Sequence, residues 1–533
     1  MSSFRMSRSW LEPASLLYLL APNLLFALTW LRPAWAAVAT LLLVGGAWNL
    51  LRHQPADATG WLPDGRALIW LLGLSLVYTA LSGIGEVGFQ RLDYIKHNLI
   101  YHDLVTYPWP VQYQEPDGGL TFLSYYLGYY LIPSGLGALV GGSSVNFFAF
   151  MWGWAGLFLA FTWVTRLCEG HPLPVVLMFM FFGGWDLIVN LMLEADAIWF
   201  NIRVPFSTAL LVETALPVEW GLGHNYPGSM SQLAWAPQHT IVGWIAMGWI
   251  LDQTLRLDRA QDIFFVQLLT LFWSPFIFLG LMPFTAWAAL RAGIRPALTW
   301  HNILPSIGFG LILVLYFAPH ESIMFNGWVW QYARKYGWGF SLLYYAVFEF
   351  GLYCLLLAWL HRRTGELQHR WPLLLLATGV LIGCLWYRLG LFNDFALRVT
   401  NPALTALTVL CVRAMLTWQP PRRLRMVLAG ALVIGALIPL QEQGKSALYR
   451  IANPHPEWFA HPIFSHITLQ HVAWFLTRES ESYAKVAPDA TIHDMDPNYV
   501  PGAPPTWDAM WPQYLGVTPS VFYNHLIARR DSL

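Results

Sequence analysis

The sequence predicts an all-α polytopic membrane protein, and three observations carry that expectation. Hydrophobic residues fill 56% of the 533 positions, charged residues only 11%, and mean hydropathy is +0.45, whereas about a quarter of a soluble domain is charged. The apolar residues gather into stretches of the roughly 20 residues that a helix needs to cross a bilayer. The arginines between those stretches fall almost entirely on one face once the stretches are threaded through a membrane.

Spanning helices are expected near 13–30, 33–51, 67–83, 145–165, 173–193, 235–255, 302–319, 340–360, 372–390, 400–418 and 426–442, about eleven in all. Two apolar stretches do not fit as single crossings. Residues 121–141 carry Pro133 and several glycines and read as re-entrant or interfacial. Residues 262–290 are too long for one span, carry Pro275 and Pro283, and read as a bent hairpin. With these assignments Arg5, Arg8, Arg52, Arg66, Arg166, Arg256, Arg259, Arg291, Arg295, Arg362, Arg363, Arg370, Arg422, Arg423 and Arg425 share one side, which the positive-inside rule makes cytoplasmic. The other side receives 84–144, 195–234, 320–339, 391–400 and everything after 443. The chain therefore divides into a membrane domain, 1–443, with extracytoplasmic loops 84–144 and 195–234, and an extracytoplasmic tail, 444–533. The tail runs HPIFSHITLQHVAWFLTRES and WPQYLGVTPSVFYNHLIARRD could each supply a helix packed on the mouth of the membrane domain. The N-terminus reads as the flank of a retained first helix.

Composition also narrows the function. A formal net charge of zero without a long basic run gives no support to a nucleic-acid partner. Four cysteines without a CxxC pair suggest neither a zinc site nor a disulfide framework. A P-loop, HExxH, GxSxG and a dinucleotide fingerprint are all missing.

The loop from Gly85 to Tyr130 holds the densest ionisable chemistry. Read as a helix over Leu92–Asp103, it places Asp93, Lys96 and His97 on one arc and Leu92, Ile95 and Leu99 on another, with Pro108 and Pro110 ending it. Two readings stand: an interfacial helix with its polar face in water, or a carboxylate, ammonium and imidazole grouped for chemistry. The second loop runs from Glu194 to His239 and ends in Trp235-Ala-Pro-Gln-His239, where a proline opens a helix and leaves an imidazole at the external mouth. A structural hydrogen bond is the plainer role for His239, and ligand contact the sharper one. Its acidic, basic and aromatic residues, Trp199 and Trp220 among them, suit sugar binding or the ordinary interfacial belt. Arg334 with Lys335, and Arg388 with Arg398 around Asp394, could recognise phosphate, or could snorkel and pair at i, i+4. Asp186, Glu349 and His301 read as structural pairing inside the bundle.

Together, Asp93-Tyr-Ile-Lys-His-Asn98, Asp103-Leu, Pro108-Trp-Pro110, Tyr125-Tyr-Leu-Gly-Tyr-Tyr130, Trp235-Ala-Pro-Gln-His239 and Asn393-Asp-Phe-Ala-Leu-Arg398 resemble uncharacterised bacterial membrane proteins grouped near the GT-C class of integral-membrane glycosyltransferases. More loosely they are similar to the tyrosine-rich YYY membrane proteins. The resemblance covers most of 67–420. One departure is that two helices precede the helix leading into the acidic loop, which in that class usually follows the first.

The resemblance implies transfer of a sugar from a polyprenyl-phosphate donor to an extracytoplasmic glycan, lipid or protein acceptor, in the bacterial cytoplasmic membrane. A carboxylate must then take the acceptor proton, with Asp93 first and Asp103 and Glu86 behind it. Lys96, His97, Arg388 and Arg398 are the cations that could offset charge on the leaving phosphate. His102, His239, Asp394 and Tyr125, Tyr126, Tyr129 and Tyr130 complete the substrate side, the tyrosine run lining a groove. Asp93 and His97 at i, i+4 could instead share a divalent metal. A transporter or flippase of a lipid-linked glycan, and a non-catalytic envelope-assembly scaffold, are the alternatives.

Overall fold

The helix Pro237–Leu255 is the axis of the molecule, buried from Pro237 to Asp252 on every side. It packs on Leu11–Trp30, Val145–Cys168, Pro275–Ala292 and Asn401–Leu416. Close approach is made possible by missing side chains. A Cβ on Gly248 would sit 2.5 Å from the Trp163 side chain, and one on Gly280 would sit 2.2 Å from the Val399 carbonyl oxygen. Because protein surrounds the axis, it can carry Gln238, His239, Thr240, Asp252 and Thr254 in buried positions.

The computed structural model describes residues 10–52, 63–91, 93–114, 120–185, 188, 226–319, 327–332, 338–389, 393–418, 420–452, 515–518 and 520–528. The chain is mostly helical, and among the described residues 7 helices are long and apolar enough to cross a membrane. Leu11–Trp30, Pro33–Arg52, Gly142–Cys168, Trp300–Phe317, Leu342–Thr364 and Arg422–Gly444 coincide with expected spans. The seventh, Pro275–Ala292, is the longer arm of the 262–290 stretch. Its shorter arm, Ile263–Leu271, lies alongside, with Gln267 joined to the Phe278 carbonyl at 2.9 Å and to Thr285 at 2.8 Å, so this stretch is a bent hairpin. The stretches at 67–83, 372–390 and 400–418 form the shorter helices Gly65–Leu81, Trp371–Cys384 and Asn401–Leu416.

The span expected at 173–193 is not a continuous helix. Its helix stops at Met180, and the chain then runs irregularly through Gly183 and Gly184, which have poor helix propensity. The Tyr353 hydroxyl donates to the Gly183 carbonyl at 3.0 Å, and Gly435 packs directly on that carbonyl, replacing the helical hydrogen bond. Residues 121–141 include a helix of only 10 residues, Leu131–Val140, too short to cross.

Among the described residues, five short strands accompany the helices. Strands β1 (Gln112–Gln114), β2 (Leu120–Leu123) and β5 (Leu515–Val517) form one antiparallel sheet, while β3 (Gly327–Trp328) pairs with β4 (Tyr387–Arg388). The tail segment read as a helix instead contributes β5 and the π-helical turn Phe522–Leu526. Phe522 is fully buried against Phe26, Phe122 and Tyr316, and Arg32 donates to the carbonyls of Ile527 at 3.1 Å and Asn524 at 2.5 Å. This segment caps the bundle. The run HPIFSHITLQHVAWFLTRES lies outside the described residues.

Candidate functional site

The helix Tyr94–Thr106 forms where the apolar and ionisable arcs predict it, with Tyr107 as its C-cap immediately before Pro108. Its ionisable face is not turned to open water. His97 and Asp103 are buried, and the Lys96 and Asp93 side chains keep only 16% and 30% of their exposure. Asp93 stands at the N-cap position, yet its carboxylate makes no capping hydrogen bond. It accepts instead from Lys96 Nζ at 3.2 Å.

His97 is held at both ring nitrogens. Nε2 lies 3.3 Å from the Trp235 carbonyl, an acceptor, so the proton is on Nε2 and Nδ1 accepts from the Tyr130 hydroxyl at 2.5 Å. That carbonyl is available because Pro237 restarts the chain: His239 N–H bonds to Ala236 rather than reaching back to Trp235. Burial, reinforced by the Lys96 charge, pushes the His97 pKa down to about 3. His97 is therefore neutral, which removes it from the candidate cations. Both ring nitrogens of His97 are thus engaged within the protein. Among the described residues, no group of 3 or more His, Cys, Asp or Glu could hold a metal ion.

A second cluster faces Lys96 and Asp93. Asn393, in the left-handed conformation at φ 54°, caps the short helix Asp394–Val399 through its side-chain oxygen. Arg398 donates from Nη2 to Asp394 at 2.7 Å and from Nη1 to His239 Nε2, and Nη1 lies 3.5 Å from the Tyr126 hydroxyl. Since Nε2 of His239 accepts, its proton is on Nδ1, which donates to Ser274 Oγ at 2.6 Å. Arg398 Nε is buried without a partner among the described residues.

Three helices begin beside this cluster: Pro237–Leu255, Pro275–Ala292 and Asn401–Leu416, each with proline in its first positions. Their N-termini carry partial positive charge, which adds to that of Arg398 and Lys96. Burial would raise the Asp93 carboxyl, but the charges of Lys96 and Arg398 and the Lys96 hydrogen bond outweigh it, leaving its pKa below the usual range. Asp93 is thus an ionised acceptor on the rim of an electropositive site. Burial lowers the pKa of Lys96, with Asp93 opposing and Arg398 assisting. Burial also pushes the Tyr126 hydroxyl up to about 12, so it remains a donor.

Asp93, Lys96, His97, Tyr126, Tyr130, His239, Asp394 and Arg398 are therefore brought together. The other candidates stand apart from that cluster or in a different role. Asp103 lies about 15 Å further along its helix, accepting from His102 Nδ1 at 3.1 Å and from Tyr113 at 2.8 Å, a structural arrangement. Glu86 sits in the turn Ile84–Glu86 with φ 62°, beside Gly85, which packs on Asn146 and Phe150. Tyr125, Tyr129 and Tyr130 are at most 2% exposed and form core behind the site, not an open groove. Of that run Tyr126 reaches the charged groups, its hydroxyl 3.5 Å from Arg398 Nη1. Arg388 lies on β4, where the adjacent Tyr387 packs edge-on against Phe395, so that strand borders the Arg398 helix. Glu349 is buried against Gly184, whereas His301 is exposed. Glu115, Asp117, Asp186, Trp199, Trp220, Arg334 and Lys335 lie outside the described residues.

Sequence reasoning missed Ser274, Gln232 and Asn401, which anchor the three helix starts; Asn401 donates to the Gln232 side chain. The available signal was the repetition of a polar or small residue before proline at Ala236-Pro237, Ser274-Pro275 and Asn401-Pro402. Arg91, a charged residue of the same loop two positions before Asp93, takes a structural role, donating to Glu442 Oε2 at 2.9 Å and to Ser446 at 3.0 Å. No protein-family model, curated protein or solved structure matches the chain.

Proposed function

We propose that the protein is a membrane glycosyltransferase of the GT-C kind, with about eleven crossings, that transfers a sugar from a polyprenyl-phosphate donor to an extracytoplasmic glycan, lipid or protein acceptor. The observation that carries this reading is the pairing of an ionised Asp93 with two cations, Lys96 and Arg398, where three helix N-termini meet. A leaving prenyl phosphate needs positive charge, and Arg398, whose Nε has no partner among the described residues, Lys96 and the helix ends supply it. An acceptor hydroxyl needs a proton acceptor beside the anomeric carbon, and Asp93 is the ionised carboxylate there. With its lowered pKa it is a weak base in the ground state and takes the proton as attack makes the hydroxyl acidic. His97 and His239, both neutral, act by fixing Tyr130, Trp235, Ser274 and Arg398 in place.

The test is turnover by purified protein in nanodiscs with radiolabelled polyprenyl-phosphate sugars, wild type beside Asp93→Asn. Release of prenyl phosphate that falls by roughly 10²–10⁴-fold in a well-folded variant supports the reading. Absence of release with every donor, together with movement of a lipid-linked glycan between leaflets, would replace it with the transporter alternative.

A further inference from the structure

The far ends of the same helices hold a second electropositive cavity. From His239 to Arg256 the axis rises about 26 Å, so this cavity lies across the bundle from the Asp93 site. It is a small, partly open pocket lined by Arg256, Arg370, Arg413 and Glu169, with Leu255, Leu373 and Val409 on its apolar wall. Arg413 is buried and held: its Nη1 and Nη2 pair with Glu169 at 3.1 and 3.2 Å, and Nη1 also donates to the Leu167 carbonyl. Its Nε has no partner among the described residues. Arg256 donates to Asp252 at 3.0 Å, a carboxylate already gripped in bidentate fashion by Arg166.

Arg370 differs from these two. Its guanidinium makes no hydrogen bond or ion pair among the described residues, lying only 5.8 Å from the ring of Trp418, which Arg413 also flanks at 5.6 Å. Its neighbouring carboxylates are Glu169, already occupied by Arg413, and the exposed Glu366. Burial and the Arg413 charge both lower the Arg370 pKa, as for a cation short of a counter-charge. Burial would raise Glu169, but Arg413 first, then Arg370 and Arg256, hold it below its usual value, so all three cations converge on one carboxylate.

We propose that this cavity binds a phosphate oxyanion, carried by an anionic lipid headgroup or by a soluble phosphate compound, with Arg370 as its principal anchor. Guanidinium groups match phosphate oxygens in paired hydrogen bonds, and the leucine wall gives a glycerol backbone and the start of an acyl chain an apolar surface. The site is separate from the Asp93 centre and independent of the transferase reading.

The experiment is native mass spectrometry of the delipidated full-length chain, titrated with phosphatidylglycerol or phosphatidylcholine, for wild type, Arg370→Gln and Glu169→Gln. Wild type is expected to bind phosphatidylglycerol at least about tenfold more tightly than phosphatidylcholine, and Arg370→Gln to lose about tenfold. Glu169→Gln removes the carboxylate that competes for the arginines and is expected to tighten binding. Displacement by millimolar inorganic phosphate would identify a soluble phosphate as sufficient; resistance to it would identify the lipid headgroup. Equal binding of the two lipids, unmoved by either substitution or by inorganic phosphate, would overturn the proposal.

Discussion

Arg91 and Glu442, 351 positions apart, form a buried ion pair at 2.9 Å that ties the entry of the Asp93 helix to the end of a membrane helix. Arg91 also donates to the Glu442 carbonyl at 2.8 Å, to Ser446 at 3.0 Å and to the Phe89 carbonyl at 3.3 Å. Removing one partner leaves the other charged and buried. Arg91→Gln is expected to destabilise by about 3–5 kcal/mol, and Arg91→Met with Glu442→Met to recover most of it. Thermal unfolding of wild type and the two variants in one detergent checks this, and a double variant as unstable as the single would sink it.

Arg398 uses its fork to reach Asp394, His239 and Tyr126 together. Lysine keeps the charge but is a point donor. Under the transferase reading, Arg398→Lys should lower turnover by about 10- to 100-fold without moving the melting temperature as far as Arg398→Ala does. Wild-type turnover in Arg398→Lys would show that the fork is dispensable.

His97 makes stability pH-dependent, among Asp93, Tyr94, Lys96, Tyr130 and Arg398. Its folded pKa is about 3 and its ordinary value 6.5, so between those limits the unfolded chain binds the extra proton. Stability therefore rises with pH through that window and is lost as pH falls, by up to about 1.4 kcal/mol per pH unit. The Asp93 carboxyl, held below its usual pKa, adds a loss of the same sign at lower pH. Melting curves from pH 7 to 4 should be shallower for His97→Gln, which can still donate to Trp235 and accept from Tyr130. Parallel curves would contradict the assignment.

Gly280 lets its helix approach the segment carrying Arg398. An added Cβ would meet the Val399 oxygen at 2.2 Å and Pro402 at 3.1 Å, and backbone cannot step aside as a side chain can. Gly280→Ala should destabilise by about 1–3 kcal/mol. A melting temperature equal to wild type would mean that the two helices are free to separate.

Phe522 fills a slot between Phe26, Phe122 and Tyr316 with no exposed surface. Phe522→Ala is expected to lose about 3–5 kcal/mol. Limited proteolysis should then release the β5 segment; unchanged protection would show that the capping segment is held by its strand pairing and Arg32 alone.

The sequence by itself determined the membrane class, most helix positions, the Tyr94–Thr106 helix and the identity of most of the clustered polar residues. These follow from local quantities: apolar length, helical period, the proline breaks and the scarcity of charge, which makes each ionisable residue in an apolar chain conspicuous. Tertiary structure alone decided which candidates meet and in what state. Asp93 and Asp103 are both acidic residues of one loop, but only Asp93 faces Lys96 and Arg398, because about 15 Å of helix and the Tyr113 hydrogen bond separate the other. His97 reads as a cation in sequence and is neutral in the fold, because burial and the Lys96 charge disfavour the second proton, while a carbonyl from a residue 138 positions away fixes which nitrogen keeps the first. The tail run that could supply a helix keeps only the turn Phe522–Leu526, and Leu515–Val517 pairs as a strand because β2 offers it an unpaired edge, a partner that local periodicity cannot register.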